Sequence, residues 1–243
     1  MTPRSRTALV TGGARRLGRA LAIALAERGL RVAVHHHASA AEAKETIEAI
    51  REAGGDAFAV RADLRDAAQA ERLVDDVAER GDGLDVLVNS AAVMERTPIG
   101  TVTAAQWDAM FALNLRAPFL IAQRAAPHLA RTRGCIVNIA DLAAFETWPA
   151  YVPHGISKAG VVQMTRALAR TLAPDVRVNA IAPGAVLLPD EWDDAAGVRL
   201  AETTPLRRLG APHDVVTAML YLLDAQYVTG ETIIVDGGRH VRT

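Results

Sequence analysis

The chain has 243 residues, a formal net charge of −1 and a hydrophobic content of 50%. This composition predicts a folded apolar core and argues against intrinsic disorder, and the near-neutral charge gives no electrostatic reason to expect a nucleic-acid or membrane-surface partner. The single cysteine, Cys135, excludes an internal disulfide. Because no apolar run approaches the ~18 residues of a membrane span, we expect a soluble, cytoplasmic protein.

Short apolar runs alternate with longer runs of helical periodicity along the chain. The predicted strands cover residues 7–10, 31–34, 57–60, 84–88, 135–139, 176–181 and 232–235. Helices are predicted over residues 16–28, about 40–52 and about 67–79, with further helical patterns through Trp107 and Ala122. Continuous apolar strands are typical of a parallel sheet that is covered on both faces. We therefore predict an α/β fold, a doubly wound parallel sheet of the Rossmann type, in a single domain.

A glycine-rich turn, Thr11-Gly12-Gly13-Ala14-Arg15-Arg16-Leu17-Gly18, follows the first strand and opens the first helix. Glycine permits a tight turn and close backbone approach, and a helix N-terminus offers free N–H groups to a pyrophosphate. In this strand–turn–helix context the motif predicts a dinucleotide cradle, although ordinary strand–helix turns share the pattern. The predicted contacts are Gly12, Arg15, Arg16, Leu17 and Gly18.

The end of the second strand, Val34-His35-His36-His37-Ala38-Ser39, contains no acidic residue. An acid there accepts the ribose 2′-hydroxyl of NAD and repels the 2′-phosphate of NADP. Its absence favours NADPH, whose phosphate accepts charge-assisted hydrogen bonds. The candidate phosphate ligands are Arg15, Arg16, His35, His37 and Ser39. The alternative is that both arginines are solvated surface residues, and we expect no metal site at the three histidines because adjacent strand residues point to opposite faces.

Several motifs together resemble the short-chain dehydrogenase/reductase family across residues 7–240. Besides the glycine-rich turn, they are Asp63-Leu64 after the third strand, Asn89-Ser90-Ala91-Ala92 after the fourth, Asn114, Pro183-Gly184 after the sixth, and Val235-Asp236-Gly237-Gly238. The resemblance implies cofactor contacts at Asp63, Leu64, Asn89, Ser90, Ala91, Pro183 and Gly184, and a structural and proton-relay role for Asn114. It also implies a small-molecule substrate and a homo-oligomer, a tetramer or dimer formed through the long central helices and the C-terminal strand.

Within that family, the Arg-Arg-Leu-Gly turn, the histidine-rich second strand and Asp141 most resemble pteridine reductases. Those enzymes use NADPH and place an aspartate where most relatives have a catalytic serine. Asp141 lies two residues past Ile139, at the end of the fifth strand, and fits that position.

The family's catalytic tyrosine, four residues before its lysine, is replaced here by a histidine. The lysine is Lys158, and the histidine is His154. Lysine would also contact the cofactor ribose, as the resemblance implies. A neutral imidazole is a poor proton source, but a nearby carboxylate such as Asp141 stabilises imidazolium and orients the ring. We therefore predict that Asp141, His154 and Lys158 form a proton-delivery group.

Tyr151 is a second candidate acid, because positions 151, 154 and 158 share a face if all three are helical. Pro153 makes the periodicity least secure at this point, and the alternative is a packing role for the tyrosine. Beyond the sixth strand, we expect residues 187–205 to cover the substrate, with Val186 and Trp192 in contact with it. An acidic, solvated helix start is the alternative there.

Three functions are consistent with these patterns. The first is an NADPH-dependent reductase of a small carbonyl, imine or pterin-like substrate. The second is a ketoreductase resembling 3-oxoacyl carrier-protein reductases, although Tyr and Ser are replaced here. The third is a protein that binds NADP(H) as a sensor or scaffold without turnover, since it needs no proton donor.

Overall fold

A computed structural model describes residues 5–188 and 194–241. The strands are β1 (Thr7–Thr11), β2 (Arg31–His36), β3 (Asp56–Arg61), β4 (Val86–Asn89), β5 (Cys135–Ile139), β6 (Arg177–Pro183) and β7 (Thr232–Val235). The helices are α1 (Arg16–Glu27), α2 (Ala40–Glu52), α3 (Ala67–Arg80), α4 (Ala104–Phe111), α5 (Ala117–Thr132), α6 (Val152–Leu172), α7 (Asp194–Thr203) and α8 (Pro212–Asp224).

The seven strands form one parallel sheet in the order β3-β2-β1-β4-β5-β6-β7. The chain moves outward from β1 to β3 and then returns to place β4 on the other side of β1. This reversal is a topological switch point, beside which a doubly wound sheet has its ligand crevice at the carboxyl ends of the strands. The predicted fold class is confirmed.

Helices cover both faces of the sheet and bury its side chains. One face packs against α3, α5 and α6 through residues such as Leu73, Ile121 and Val161. The other face packs against α1, α2 and α8 through Leu21 and Met219, among others. Every residue of β1, β4 and β5 is buried, which explains why these strands are continuous apolar runs in the sequence.

The element boundaries differ from the sequence predictions at several points. Helix α1 ends at Glu27, one residue early, and β4 begins at Val86, two residues late. Strand β2 continues to His36. Between α4 and α5 the chain forms a π-helical turn, Ala112–Arg116, which the sequence did not indicate. Such turns occur frequently at functional sites.

No helix in the described residues is long and apolar enough to cross a membrane. The cytoplasmic location stays a prediction.

Candidate active site

A cleft of about 500 Å³ opens at the carboxyl ends of the strands. The predicted site residues that line it are Gly12, Arg15, Arg16, Leu17, Gly18, His35, His37, Ser39, Asp63, Leu64, Ser90, Ala91, Asp141, His154, Lys158, Pro183, Gly184 and Val186. Of the other predicted residues, Asn89, Asn114 and Tyr151 do not line this cleft, and Trp192 lies outside the described residues. The sequence motifs thus converge on one surface.

The glycine-rich turn is built so that two of its positions tolerate no side chain. Gly12 adopts φ +66°, and a Cβ there would approach the Ala91 backbone to 3.0 Å. A Cβ on Gly18 would overlap the Gly12 carbonyl oxygen. The bare backbone of this turn is the geometry that a pyrophosphate cradle requires.

His35 links the glycine-rich turn to the chain after β3 through two hydrogen bonds. Its Nδ1 accepts a hydrogen bond from the Gly12 N–H at 3.0 Å, and its Nε2 donates to the Ala62 carbonyl at 3.1 Å. Burial lowers the pKa of this imidazole from 6.5 to about 4, so the ring is neutral near pH 7. Because both nitrogens bind the protein, we assign His35 a structural role in place of the predicted phosphate contact.

The basic end of the cleft lies beside β2 and β3. His37 is exposed, with Nε2 3.8 Å from Asp63 Oδ2, and Arg15 lies 3.9 Å from Glu42. Arg65 also lines this end and was missed by the sequence reasoning, although it follows Asp63-Leu64 directly. His36 lines it as well. These side chains stay candidates for a phosphate site.

The Arg16 side chain does not point to the cofactor phosphate position that the sequence predicted. It holds a left-handed backbone conformation, φ +50°, at the position where many dinucleotide folds have glycine. Its guanidinium donates to the Leu188 carbonyl at 2.8 Å, and we therefore assign it to the substrate side of the cleft. Arg16 thus joins the glycine-rich turn to the segment that follows β6.

The segment after β4 is fixed to the turn by Thr11, a contact that the sequence reasoning missed. The Thr11 hydroxyl accepts hydrogen bonds from the N–H groups of Ser90 at 2.9 Å and Ala91 at 3.1 Å. Asn89 does not line the cleft, and its amide donates to Asn138 at 2.9 Å. In the sequence, this role of Thr11 is indicated by its place at the start of the glycine-rich motif.

The residues that the sequence predicts to deliver a proton meet at the inner end of the cleft. His154 Nε2 lies 3.5 Å from Asp141 Oδ2, and its Nδ1 lies 3.2 Å from the Val93 carbonyl. Asp141 caps a 3₁₀ turn, where its other oxygen accepts from the Ala143 N–H at 2.8 Å. His154 is 2% exposed, whereas the Asp141 side chain is partly exposed to the cleft.

Lys158 lies one helical turn beyond His154 and is buried. Its ammonium donates to the Ile139 carbonyl at 2.8 Å. Burial lowers the pKa of Lys158 from 10.5 to about 8, and the charge of Asp141 opposes this shift. The ammonium therefore stays the major form at neutral pH while being held at the base of the cleft.

Tyr151 does not join this group. It is the N-terminal cap residue of α6 and has non-helical dihedrals, so the predicted shared face does not extend to it. Its ring packs edge-on against Trp148, with centroids 6.3 Å apart. The arrangement favours the packing role that the sequence left as an alternative.

In the residues that the structure describes, no group of three or more His, Cys, Asp or Glu side chains is arranged to hold a metal ion. The sheet order and the cleft at the carboxyl ends of its strands define an α/β protein of the Rossmann type.

Comparisons with known proteins agree with this class. A family model described as Enoyl-(Acyl carrier protein) reductase matches residues 12–240. The 3-oxoacyl-(acyl-carrier-protein) reductase FabG of Staphylococcus aureus is 33% identical over 243 residues, covering 98% of this chain and 99% of that protein. The structure of FolM alternative dihydrofolate reductase 1 from Brucella suis, in complex with NADP, matches with a TM-score of 0.93 and 33% identity over 98% of this chain and 96% of that one.

The chain belongs to the short-chain dehydrogenase/reductase family and is an oxidoreductase of that family. The predicted family and enzyme class are confirmed.

Proposed function

We propose that this protein is an NADPH-dependent reductase of a small carbonyl, imine or pterin-like substrate, with His154 as the proton donor. The observation that carries the proposal is the 3.5 Å approach of His154 Nε2 to Asp141 Oδ2, above the buried Lys158. A histidine at this position needs a carboxylate to hold its proton, and the carboxylate is present.

Two observations support NADPH as the cofactor of this cleft. The glycine-rich turn is packed so closely that a Cβ at Gly12 or Gly18 would meet backbone atoms, which leaves its own backbone bare toward the cleft. In addition, β2 ends without a carboxylate, beside the cationic side chains of Arg15 and Arg65. Ser39 and His37 line the same end and supply hydrogen-bond donors for a 2′-phosphate. The NADP complex of the Brucella suis relative supports the same cofactor.

The chemistry that NADPH would supply when bound is a hydride for the carbonyl or imine carbon. The chain supplies the proton that the substrate oxygen or nitrogen then needs. His154 Nε2 releases this proton, and Asp141 stabilises the imidazolium before release. Lys158, held by the Ile139 carbonyl in the cleft lining, would hold the cofactor ribose. Val186 and Leu187 line the cleft and would contact the substrate.

Single-turnover NADPH oxidation against small diketones and dihydropterins tests the proposal. His154→Phe keeps an aromatic side chain but removes the proton, so the rate should fall by ~10²-fold or more. His213→Phe is the matched control, because this histidine is exposed at the start of α8. An unchanged rate in His154→Phe would refute the proton-donor role.

Two other functions have specific support. The FabG relative favours a 3-oxoacyl ketoreductase, whereas the dihydrofolate reductase relative favours a pterin, since dihydrofolate contains a pterin ring. Comparing a 3-oxoacyl thioester with a dihydropterin as the oxidant separates these two. A non-catalytic NADP(H) sensor would bind NADPH without oxidising it on either substrate, and would gain turnover in His154→Tyr.

The oligomer that we propose forms through α5 and α6. An apolar groove of about 910 Å³ runs between these helices, and Phe119 on its rim is 41% exposed. A second copy covers the groove. Phe119→Arg places a charge in that interface and should lower the mass measured by sedimentation, whereas an unchanged mass would contradict this interface.

A further inference from the structure

A closed ring of hydrogen bonds lies behind His154, on the side away from Asp141. His154 Nδ1 lies 3.2 Å from the Val93 carbonyl. Asn114 binds both backbone groups of Val93, accepting from its N–H and donating to its carbonyl, each at 2.9 Å. The Asn114 amide also donates to the Ser157 hydroxyl at 3.1 Å, and Ser157 donates to the His154 carbonyl at 2.7 Å. The ring therefore begins and ends on His154.

The chemistry of these groups fixes the direction of every bond. The Val93 N–H only donates, so the atom of Asn114 that faces it must be the amide oxygen, and the amide nitrogen must face the Val93 carbonyl and Ser157. The Val93 carbonyl only accepts, so His154 Nδ1 must carry a hydrogen. The neutral ring then has its lone pair on Nε2, the nitrogen that faces Asp141.

Burial makes this arrangement rigid. Asn114 and His154 are each 2% exposed and Ser157 is fully buried. Solvent therefore cannot replace a hydrogen-bond partner that is lost. A buried polar group that loses its partner is costly. The π-helical turn Ala112–Arg116 presents the Asn114 side chain to Val93, which explains a local departure from α-helical geometry.

We propose that Asn114 and Ser157 are positioning residues that set the tautomer of His154. They hold the hydrogen at Nδ1 through Val93, so that Nε2 alone gains and releases the proton opposite Asp141. The ring orientation that a histidine adopts is commonly set by the bond that its other nitrogen makes. The use of this tautomer in turnover rests on the proposed reductase function, but the tautomer itself does not.

Nitrogen NMR of the full chain labelled with ¹⁵N-histidine tests the proposal directly. The chain has seven histidines, and the His154 signals are assigned by their loss in His154→Phe. At neutral or slightly alkaline pH the wild type should show a protonated Nδ1 and an unprotonated Nε2 for the neutral ring. In Asn114→Ala the Nδ1–H fraction should fall, and turnover should fall on the order of 10- to 100-fold, because the donor is misplaced.

Thr165→Val is the matched control. Thr165 lies on the same helix, is fully buried, and its hydroxyl donates to Val161 and accepts from Asn138, neither of which belongs to the ring around His154. This variant should lose stability while the His154 tautomer and the pH profile of turnover stay as in the wild type. A merely structural role for Asn114 would give the same result in Asn114→Ala.

If Asn114→Ala does not fold, Ser157→Ala tests whether the ring sets the His154 tautomer, because it removes one hydroxyl and leaves the helix intact. It should lower the Nδ1–H fraction and shift the pH profile of turnover, and Ser157→Thr, which keeps a hydroxyl, should restore both. A wild-type ring with its hydrogen on Nε2, or an unchanged tautomer in the folded variants, would overturn the proposal. An Nδ1–H tautomer combined with full activity in His154→Phe would refute the proposed function and leave the positioning intact.

Discussion

Replacing His35 with asparagine should make the stability of the protein less sensitive to acid. In the wild type, His35 Nδ1 accepts the Gly12 N–H and the ring is 3% exposed. Protonation of Nδ1 removes that acceptor and places a charge in the core. In His35→Asn the side-chain oxygen lies near the position of Nδ1 and keeps an acceptor for Gly12, but it does not titrate in this range.

The size of the effect follows from the shifted pKa. Burial lowers the pKa of His35 from 6.5 to about 4 in the folded protein, so the unfolded state takes up the proton first as the pH falls. The stabilising contribution is complete above about pH 6.5 and is lost as the pH falls toward about 4. Linkage gives a loss of about 2 kcal/mol between about pH 7.5 and about pH 5, with an upper limit of ~3.4 kcal/mol at lower pH.

Urea unfolding of the cofactor-free protein, followed by circular dichroism at both pH values, measures this difference. The free energy of unfolding of the wild type should fall by about 2 kcal/mol more than that of His35→Asn, while His37→Asn, at the exposed neighbouring histidine, should follow the wild type. Equal falls in the wild type and His35→Asn would show that Gly12 does not depend on a neutral His35.

Two further predictions concern residues that line the cleft. Lys158→Met should raise the free energy of unfolding at neutral pH by about 2 kcal/mol, since it removes a buried ammonium with a pKa of about 8 at the cost of one bond to the Ile139 carbonyl. The gain should shrink between about pH 8 and about pH 10.5, where the wild-type amine loses its proton, and a gain independent of pH would contradict the reasoning. Arg16→Gly should raise KM for the carbonyl substrate about tenfold through loss of the Leu188 contact, yet change the unfolding free energy by less than ~1 kcal/mol because glycine accepts the left-handed conformation. An unchanged KM would remove Arg16 from the substrate side.

The sheet was predictable because most of its strands are buried on both faces and therefore appear as unbroken apolar runs. Cys135–Ile139 and Thr232–Val235 have the predicted bounds. The π-helical turn Ala112–Arg116 was not predictable, because one extra residue per turn barely alters a helical hydrophobic pattern over so short a stretch.

The site was predictable as a set of positions, but the directions of several side chains were not. Arg16 and His35 both lie at predicted cofactor positions, yet the first turns to the Leu188 carbonyl and the second to Gly12. These directions depend on contacts between residues far apart in the chain. For Tyr151 the sequence did contain a signal, because Pro153 is typical of the first turn of a helix and α6 does begin at Val152.

The buried polar groups of the site differ in whether cofactor binding alone accounts for them or whether catalysis is needed. The buried Lys158 lies where a dinucleotide-binding protein without turnover would also need it. The pair formed by His154 and Asp141 is different. Nε2 of His154 is buried without a hydrogen bond within the described chain and faces a carboxylate at 3.5 Å. A neutral imidazole lone pair opposite a carboxylate is repulsive, and a proton placed between them makes the contact attractive. A protein that only binds NADPH gains nothing from this arrangement, whereas a reductase uses the proton, and the pair therefore supports the catalytic function more directly than the cofactor cradle does.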